Sequence, residues 1–134
     1  MCVNLQFNSE EGSVQYLLLI YEAEELWESK SEAEKGEVLK HFFALNDRLA
    51  ADGVEFSANP LMPVATAVSV RVRGGDRNVS DGPFAETKEQ LAGYYLIDVA
   101  SLDQAVEYAS MIPLAQTGTI EVRPIEDHSD IPVV

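Results

Sequence analysis

The run Val14-Gln15-Tyr16-Leu17-Leu18-Leu19-Ile20-Tyr21 is apolar on both faces of an extended chain. It is far too short to cross a bilayer, and it reads as a strand buried in the middle of a sheet. A strand of this kind needs cover on two sides, so what the rest of the chain supplies on each side decides the fold.

Helical and extended patterns alternate after it. The acidic link 22–29 holds the only tryptophan, Trp27. Ser31 and Glu34 make a capping box, and Val38, Phe42, Leu45 and Leu49 then repeat at helical spacing to give one apolar stripe, closed by Asp52-Gly53. Residues 54–63 are broken by Asn59-Pro60 and Pro63, which predicts an edge piece or a loop. Residues 64–73 alternate valines with small or basic residues, predicting a strand. Gly74-Gly75-Asp76-Arg77 predicts a turn, and Asn78-Val79-Ser80 a short return strand. After the turn Asp81-Gly82-Pro83-Phe84 a charged segment leads into a strand over 91–99. Ser101 and Gln104 then cap a short helix with Leu102, Ala105, Val106, Ala109 and Ile112 on one face, ended by Pro113. A last strand covers 118–124.

The order β-α-β-(β)-β-α-β is the split βαβ, ferredoxin-like arrangement: an α+β fold in which two helices cover one face of an antiparallel sheet. A chain of 134 residues is one domain, 1–134, with its core at about 14–125 and a loose tail at 126–134. The other face of the sheet carries aromatic, aliphatic and charged residues. It is expected to meet a second subunit or enclose a pocket, that is, to form a homodimer with a partly polar cleft.

Charge and cysteine usage exclude several function classes. Twenty-three Asp and Glu against 9 Lys and Arg leave a formal charge of −14, which argues against nucleic acid or an anionic membrane as partner. Cys2 is the only cysteine, so no intrachain disulfide forms and a cytoplasmic location is expected. Its flexible, non-basic surroundings do not make a nucleophile. With His41 and His128 the only histidines, no zinc or iron–sulfur site is expected and no cofactor is implied. The first twelve residues lack Lys and Arg, unlike a signal peptide. No phosphate loop, metal-ligand spacing or Ser-His-Asp order is present.

The block Asp81-Gly82-Pro83-Phe84-Ala85-Glu86-Thr87-Lys88-Glu89-Gln90-Leu91-Ala92-Gly93-Tyr94-Tyr95-Leu96-Ile97 closely resembles the DGPF branch of the YCII-related proteins. Leu18-Leu19-Ile20-Tyr21, Pro113 and Ile120-Glu121-Val122-Arg123-Pro124 agree with the same family. The resemblance implies a dimeric α+β barrel. It implies no particular reaction: proteins of this fold include isomerases, lyases and monooxygenases, and some members of the branch occur beside extracytoplasmic-function sigma factors. Related proteins outside the branch place a histidine on the first helix, where it is suspected to pair with an aspartate, and His41 falls at the matching place.

Several residues then stand out as candidates. Asp81 is either a turn carboxylate accepting local N–H bonds or a general acid or base at a cleft. His41 borders the apolar stripe, and Asp52 on its own helix is about 16 Å away, so any His–carboxylate dyad would use Asp81. Phe84, Glu86 and Lys88 lie in a segment longer than a hairpin needs, which suits ligand binding. Arg71, Arg73, Glu121, Arg123 and Tyr94 or Tyr95 could converge on the second face of the sheet, where the arginines could hold an anion; the alternative, favoured for Glu121, is that it and Arg71 or Arg123 neutralise each other across neighbouring strands. Phe43 and Leu39 lie off the helix stripe and suit subunit contact, and Trp27 suits a lid over the core edge. These candidates point to a homodimer that binds a compact, carboxylated or aromatic compound near Asp81 and Phe84. Acid–base chemistry there would have His41 or Asp81 move the proton while Arg123 or Lys88 holds negative charge. The rival expectation is a non-catalytic interaction module acting with a sigma factor.

Overall fold

The computed structural model describes residues 13–127. Cys2, His128 and the tail beyond residue 127 lie outside the described residues. In chain order the elements are β1 (Val14–Glu22), α1 (Glu24–Glu28), α2 (Glu32–Ala51), β2 (Phe56–Pro60), β3 (Val68–Arg73), β4 (Asp76–Asp81), β5 (Gln90–Val99), α3 (Leu102–Ser110) and β6 (Thr119–Pro124). Single 3₁₀ turns stand at Val64–Thr66 and Pro113–Gln116.

An antiparallel sheet of four strands runs β2-β5-β1-β6, the ferredoxin-like order, with β1 flanked on both sides. Burial alternates along β1. Tyr16, Leu18, Ile20 and Glu22 are buried, while Gln15, Leu17, Leu19 and Tyr21 on the other side are only half-buried. The helices therefore cover one face, as the pattern predicts.

Leu45 and Leu49 of α2 and Ala105, Tyr108 and Ala109 of α3 pack on Leu18, Ile20, Tyr95, Ile97 and Val99. Leu18, Leu49, Ile97 and Ile112 are the largest fully enclosed side chains, each contributing about 1.5–3 kcal/mol of apolar burial. Phe42 stacks on Tyr95 with ring centroids 6.4 Å apart. The Tyr95 hydroxyl donates to Asn46 Oδ1 at 2.6 Å, and burial pushes this phenol up to about 12.

Ser31 and Glu34 make the predicted capping box in full, with bonds of 2.8 and 3.1 Å. In α3, Gln104 N–H donates to Ser101 Oγ, but the Gln104 side chain reaches back to the N–H of Ala100 rather than closing a box on Ser101. The buried stripe of α3 is Ala105, Tyr108 and Ala109, with Ile112 beyond it, whereas Leu102 and Val106 are exposed. Tyr108 turns inward because its hydroxyl has a partner there: it donates to Asp52 Oδ2 at 2.6 Å, and Arg48 Nε donates to the same oxygen at 2.9 Å. Packing periodicity alone does not count such a polar anchor.

Two larger expectations are corrected. The second strand of the sheet is Phe56–Pro60, not 64–73; its proline is tolerated because β2 is an edge. The valine-rich stretch instead pairs only with β4, as a separate hairpin. Its turn is Gly74-Gly75 alone, both with positive φ, the requirement of a tight two-residue hairpin turn. The acidic link contains a helix, α1, whose first turn places Glu24 and Glu25 at the positive end of the helix dipole.

Gly118, the residue before β6, lies against the end of β1: a Cβ there would stand 2.0 Å from the Tyr21 carbonyl oxygen and 3.1 Å from Glu22 Cα. Gly118→Ala should therefore cost about 1–3 kcal/mol, read as a lower urea midpoint with an unchanged m-value. The hydrogen bonds from Tyr108 and Arg48 hold the Asp52 carboxyl below its ordinary 3.8. A depressed folded value means that this contribution is present above 3.8 and fades as the pH falls through the folded value. Thermal melts of Tyr108→Phe across acid pH should show a shallower acid-side loss of stability than the parent protein.

Candidate functional site

The segment joining β4 to β5 folds back against the start of α1. Gly82, at φ 92°, begins it in a backbone conformation that side chains resist. Its N–H donates to the Ala67 carbonyl at 2.6 Å, and its own carbonyl accepts from Ser69 Oγ at 2.8 Å. Gln90, the first residue of β5, holds the other end: its Oε1 accepts the Glu24 backbone N–H at 2.9 Å and its Nε2 donates to the Thr87 carbonyl at 2.6 Å. Thr87 Oγ1 donates to the Glu89 carbonyl at 2.6 Å, and the Glu24 carboxylate accepts the Val64 N–H at 2.8 Å.

These bonds enclose an open cleft of about 810 Å³ between three walls. One wall is the loop, with Pro83, Ala85, Glu86, Thr87 and Lys88; the second is α1, with Glu24, Glu25 and Glu28; the third is the Val64-Ala65 turn. Four carboxylates (Glu24, Glu25, Glu28 and Glu86) face one ammonium, Lys88, so the cleft carries net negative charge.

Of the predicted site residues, Glu86 and Lys88 line this cleft, and among the described residues neither side chain makes a hydrogen bond or an ion pair. Asp81 and Phe84 lie on the same segment, beside Pro83, but outside the lining, and Phe84 is 81% exposed. Asp81 ends β4 opposite Val68, and its carboxylate accepts no turn N–H among the described residues; the backbone of Gly82 and the Ser69 hydroxyl hold the turn instead.

The remaining predicted residues lie elsewhere. Tyr94 points to the uncovered face, its hydroxyl accepting from Asn59 Nδ2 at 3.0 Å, whereas Tyr95 belongs to the core. Arg123 and Glu121 share that uncovered face on β6, but Arg71 and Arg73 are on the hairpin, so the expected convergence of all five residues does not occur. His41 is exposed on α2 and, among the described residues, shares no hydrogen bond or ion pair with Asp81. Leu39 and Phe43 are exposed on the same helix, and Trp27 is half-buried with the Lys35 ammonium 5.6 Å from its ring centre.

The α1 wall is absent from the sequence expectations; the spacing of Glu24 and Glu28, four apart, is its available signal, since it puts both carboxylates on one helical face. Glu22 is absent from them too: it is the buried charged residue among those described, and its carboxylate accepts from Thr117 Oγ1 at the end of β1.

An antiparallel βαβ plait with both long helices on one face, and a loop-built cleft at one end, defines a small ferredoxin-like α+β domain. The chain belongs to the YCII-related family, whose domain matches residues 14–129. It is similar to an uncharacterized protein of Rhizobium meliloti, 39% identical over 112 residues that make up 82% of this chain and 90% of that one. No helix among the described residues is long and apolar enough to cross a membrane.

Gln90 ties the loop to α1 through both ends of its amide. Replacing it with Ala should free the loop, and limited trypsin digestion should cut after Lys88 several times faster than in the parent protein while the melting temperature falls only slightly.

Proposed function

We propose that this protein is a cytoplasmic, homodimeric small-molecule-binding member of the DGPF branch, with its ligand in the cleft between α1 and the 83–90 segment. The observation that supports this most is the pair Glu86 and Lys88: opposite charges two residues apart on a concave wall, both without an internal partner among the described residues. Charges left unpaired in a cleft remain available to a ligand.

The excess of carboxylates favours a compact compound bearing an amine, with Lys88 receiving any carboxylate it carries. This departs from the anionic ligand expected from the arginines, because Arg123 stands on the sheet face and not in the cleft. Acid–base chemistry of lyase or isomerase type fits the same groups, with Glu86 taking a proton and Lys88 balancing negative charge as it develops; Asp81, the other candidate for the proton, stands outside the lining. His41 lies outside the cleft lining and has no role in it as this chain stands alone. A non-catalytic module acting with a sigma factor is the second reading, favoured by the exposed valines of the β3–β4 hairpin.

The test is a thermal-shift screen of small amines, amino acids and dicarboxylates against the parent chain, Glu86→Gln and Lys88→Ala. Amine-bearing compounds should raise the melting temperature, and each variant should lose about tenfold or more in affinity, the loss expected for one charge-assisted hydrogen bond. A screen in which no compound shifts the parent, or in which both variants respond like it, would sink the assignment.

A further inference from the structure

The β3–β4 hairpin stands outside the main sheet and pairs only with itself. A two-stranded ribbon is marginal in water, and its outer edges carry backbone groups that a third strand would satisfy. The turn decides which groups those are on β3. Gly74-Gly75 make a two-residue turn, so Arg73 and Asp76 exchange both backbone hydrogen bonds. The alternation of an antiparallel ladder repeats this exchange at Arg71–Asn78 and Ser69–Ser80. Val70 and Val72 therefore turn their N–H and C=O outward. Among the described residues no backbone hydrogen bond reaches this edge, and the Val72 carbonyl is met only by the next side chain, Arg73 Nη1 at 3.1 Å.

The side chains along the same edge are patterned. Arg71 and Arg73 lie on one face, about 7 Å apart by strand spacing. Val68, Val70 and Val72 lie on the other, 57%, 59% and 58% exposed. The chain has five arginines, and three of them, Arg71, Arg73 and Arg77, fall in this hairpin of a protein whose formal charge is −14. None of the three forms an ion pair among the described residues, although Asp76 is directly across from Arg73.

We propose that the outer edge of β3 is a docking site for an extended peptide segment of another protein, one in which carboxylates alternate with branched apolar residues. Added as a third strand, such a segment exchanges main-chain hydrogen bonds with Val70 and Val72. Its alternate side chains repeat about every 7 Å, the spacing of Arg71 and Arg73. Carboxylates then meet the guanidiniums on one face, while apolar side chains extend the valine row on the other.

The same pattern disfavours other occupants. The β3 edge of a second copy offers arginines where carboxylates are wanted. A nucleic acid is repelled by the charge of the whole protein and makes no use of the open backbone or the valines. The docking edge goes beyond the cleft and does not depend on what the cleft binds.

Fluorescence anisotropy on the full chain at low ionic strength tests this, with a labelled peptide of alternating Glu and Val as the probe. The parent should bind it, and should bind a peptide of the same composition in block order about tenfold more weakly or worse. Arg71→Gln should cost about tenfold in affinity, the loss expected for one charge-assisted hydrogen bond, whereas Arg77→Gln, on the other strand, should change it by less than about twofold. Val70→Pro removes the outward N–H without touching the β3–β4 ladder, and it should also cost about tenfold while circular dichroism stays that of the parent. Equal losses in Arg71→Gln and Arg77→Gln would mean diffuse charge attraction and overturn the proposal. So would a folded Val70→Pro that binds like the parent, or a parent that binds neither peptide. A labelled oligodeoxynucleotide that binds through Arg71 where the alternating peptide does not would make this a nucleic-acid face instead.

Discussion

The unequal cover of β1 governs this molecule. Its side chains are apolar on both sides, yet only Tyr16, Leu18, Ile20 and Glu22 are roofed by α2 and α3, while Leu17, Leu19 and Tyr21 remain half-open. Two long helices suffice for one face of a four-stranded sheet and no more. The surplus of apolar surface on the other side is left without cover among the described residues, and the exposed valines of the hairpin add to it.

The candidate site follows from where the helical roof ends. α1 begins directly after β1, and the long connection from β4 to β5 has to return past it to enter the sheet beside β1. Backbone groups in that passage are satisfied by side chains instead of a ladder: Gln90 bridges Glu24 and Thr87, and Glu24 takes the Val64 N–H. Hydrogen bonds of this kind are worth about 1 kcal/mol each, enough to shape a cleft and too little to make it rigid. Glu24 is thereby committed to structure, which leaves Glu25, Glu28, Glu86 and Lys88 as the cleft charges without a partner among the described residues, Lys88 being the one cation in that set.

Much of the fold was legible from pattern. The capping box at Ser31, the stripe Val38, Phe42, Leu45 and Leu49, and the βαβ order with both helices on one side emerge from local spacing, because each is decided by neighbours within a turn or a strand. The misplaced second strand shows where that stops. Alternating valines announce a ribbon with one apolar side, but the same alternation serves a strand in the main sheet and a hairpin standing outside it. Tyr108 is similar: hydropathy favours Leu102 and Val106 for the core, and the Asp52 carboxylate, 56 residues away in the chain, reverses the choice.

The site was legible in part. Glu86 and Lys88 were visible because the segment that holds them is longer than a hairpin needs. The α1 wall, and the separation of Arg123 from Arg71 and Arg73, were not, since both depend on which strands pair. Local chemistry in the chain, then, settles which segments are helical or extended, where the helices begin, and that one strand needs cover on two sides. Strand pairing settles which charges share a cleft and which face is left bare, because contacts between residues far apart in the chain have no signature in the spacing of either one.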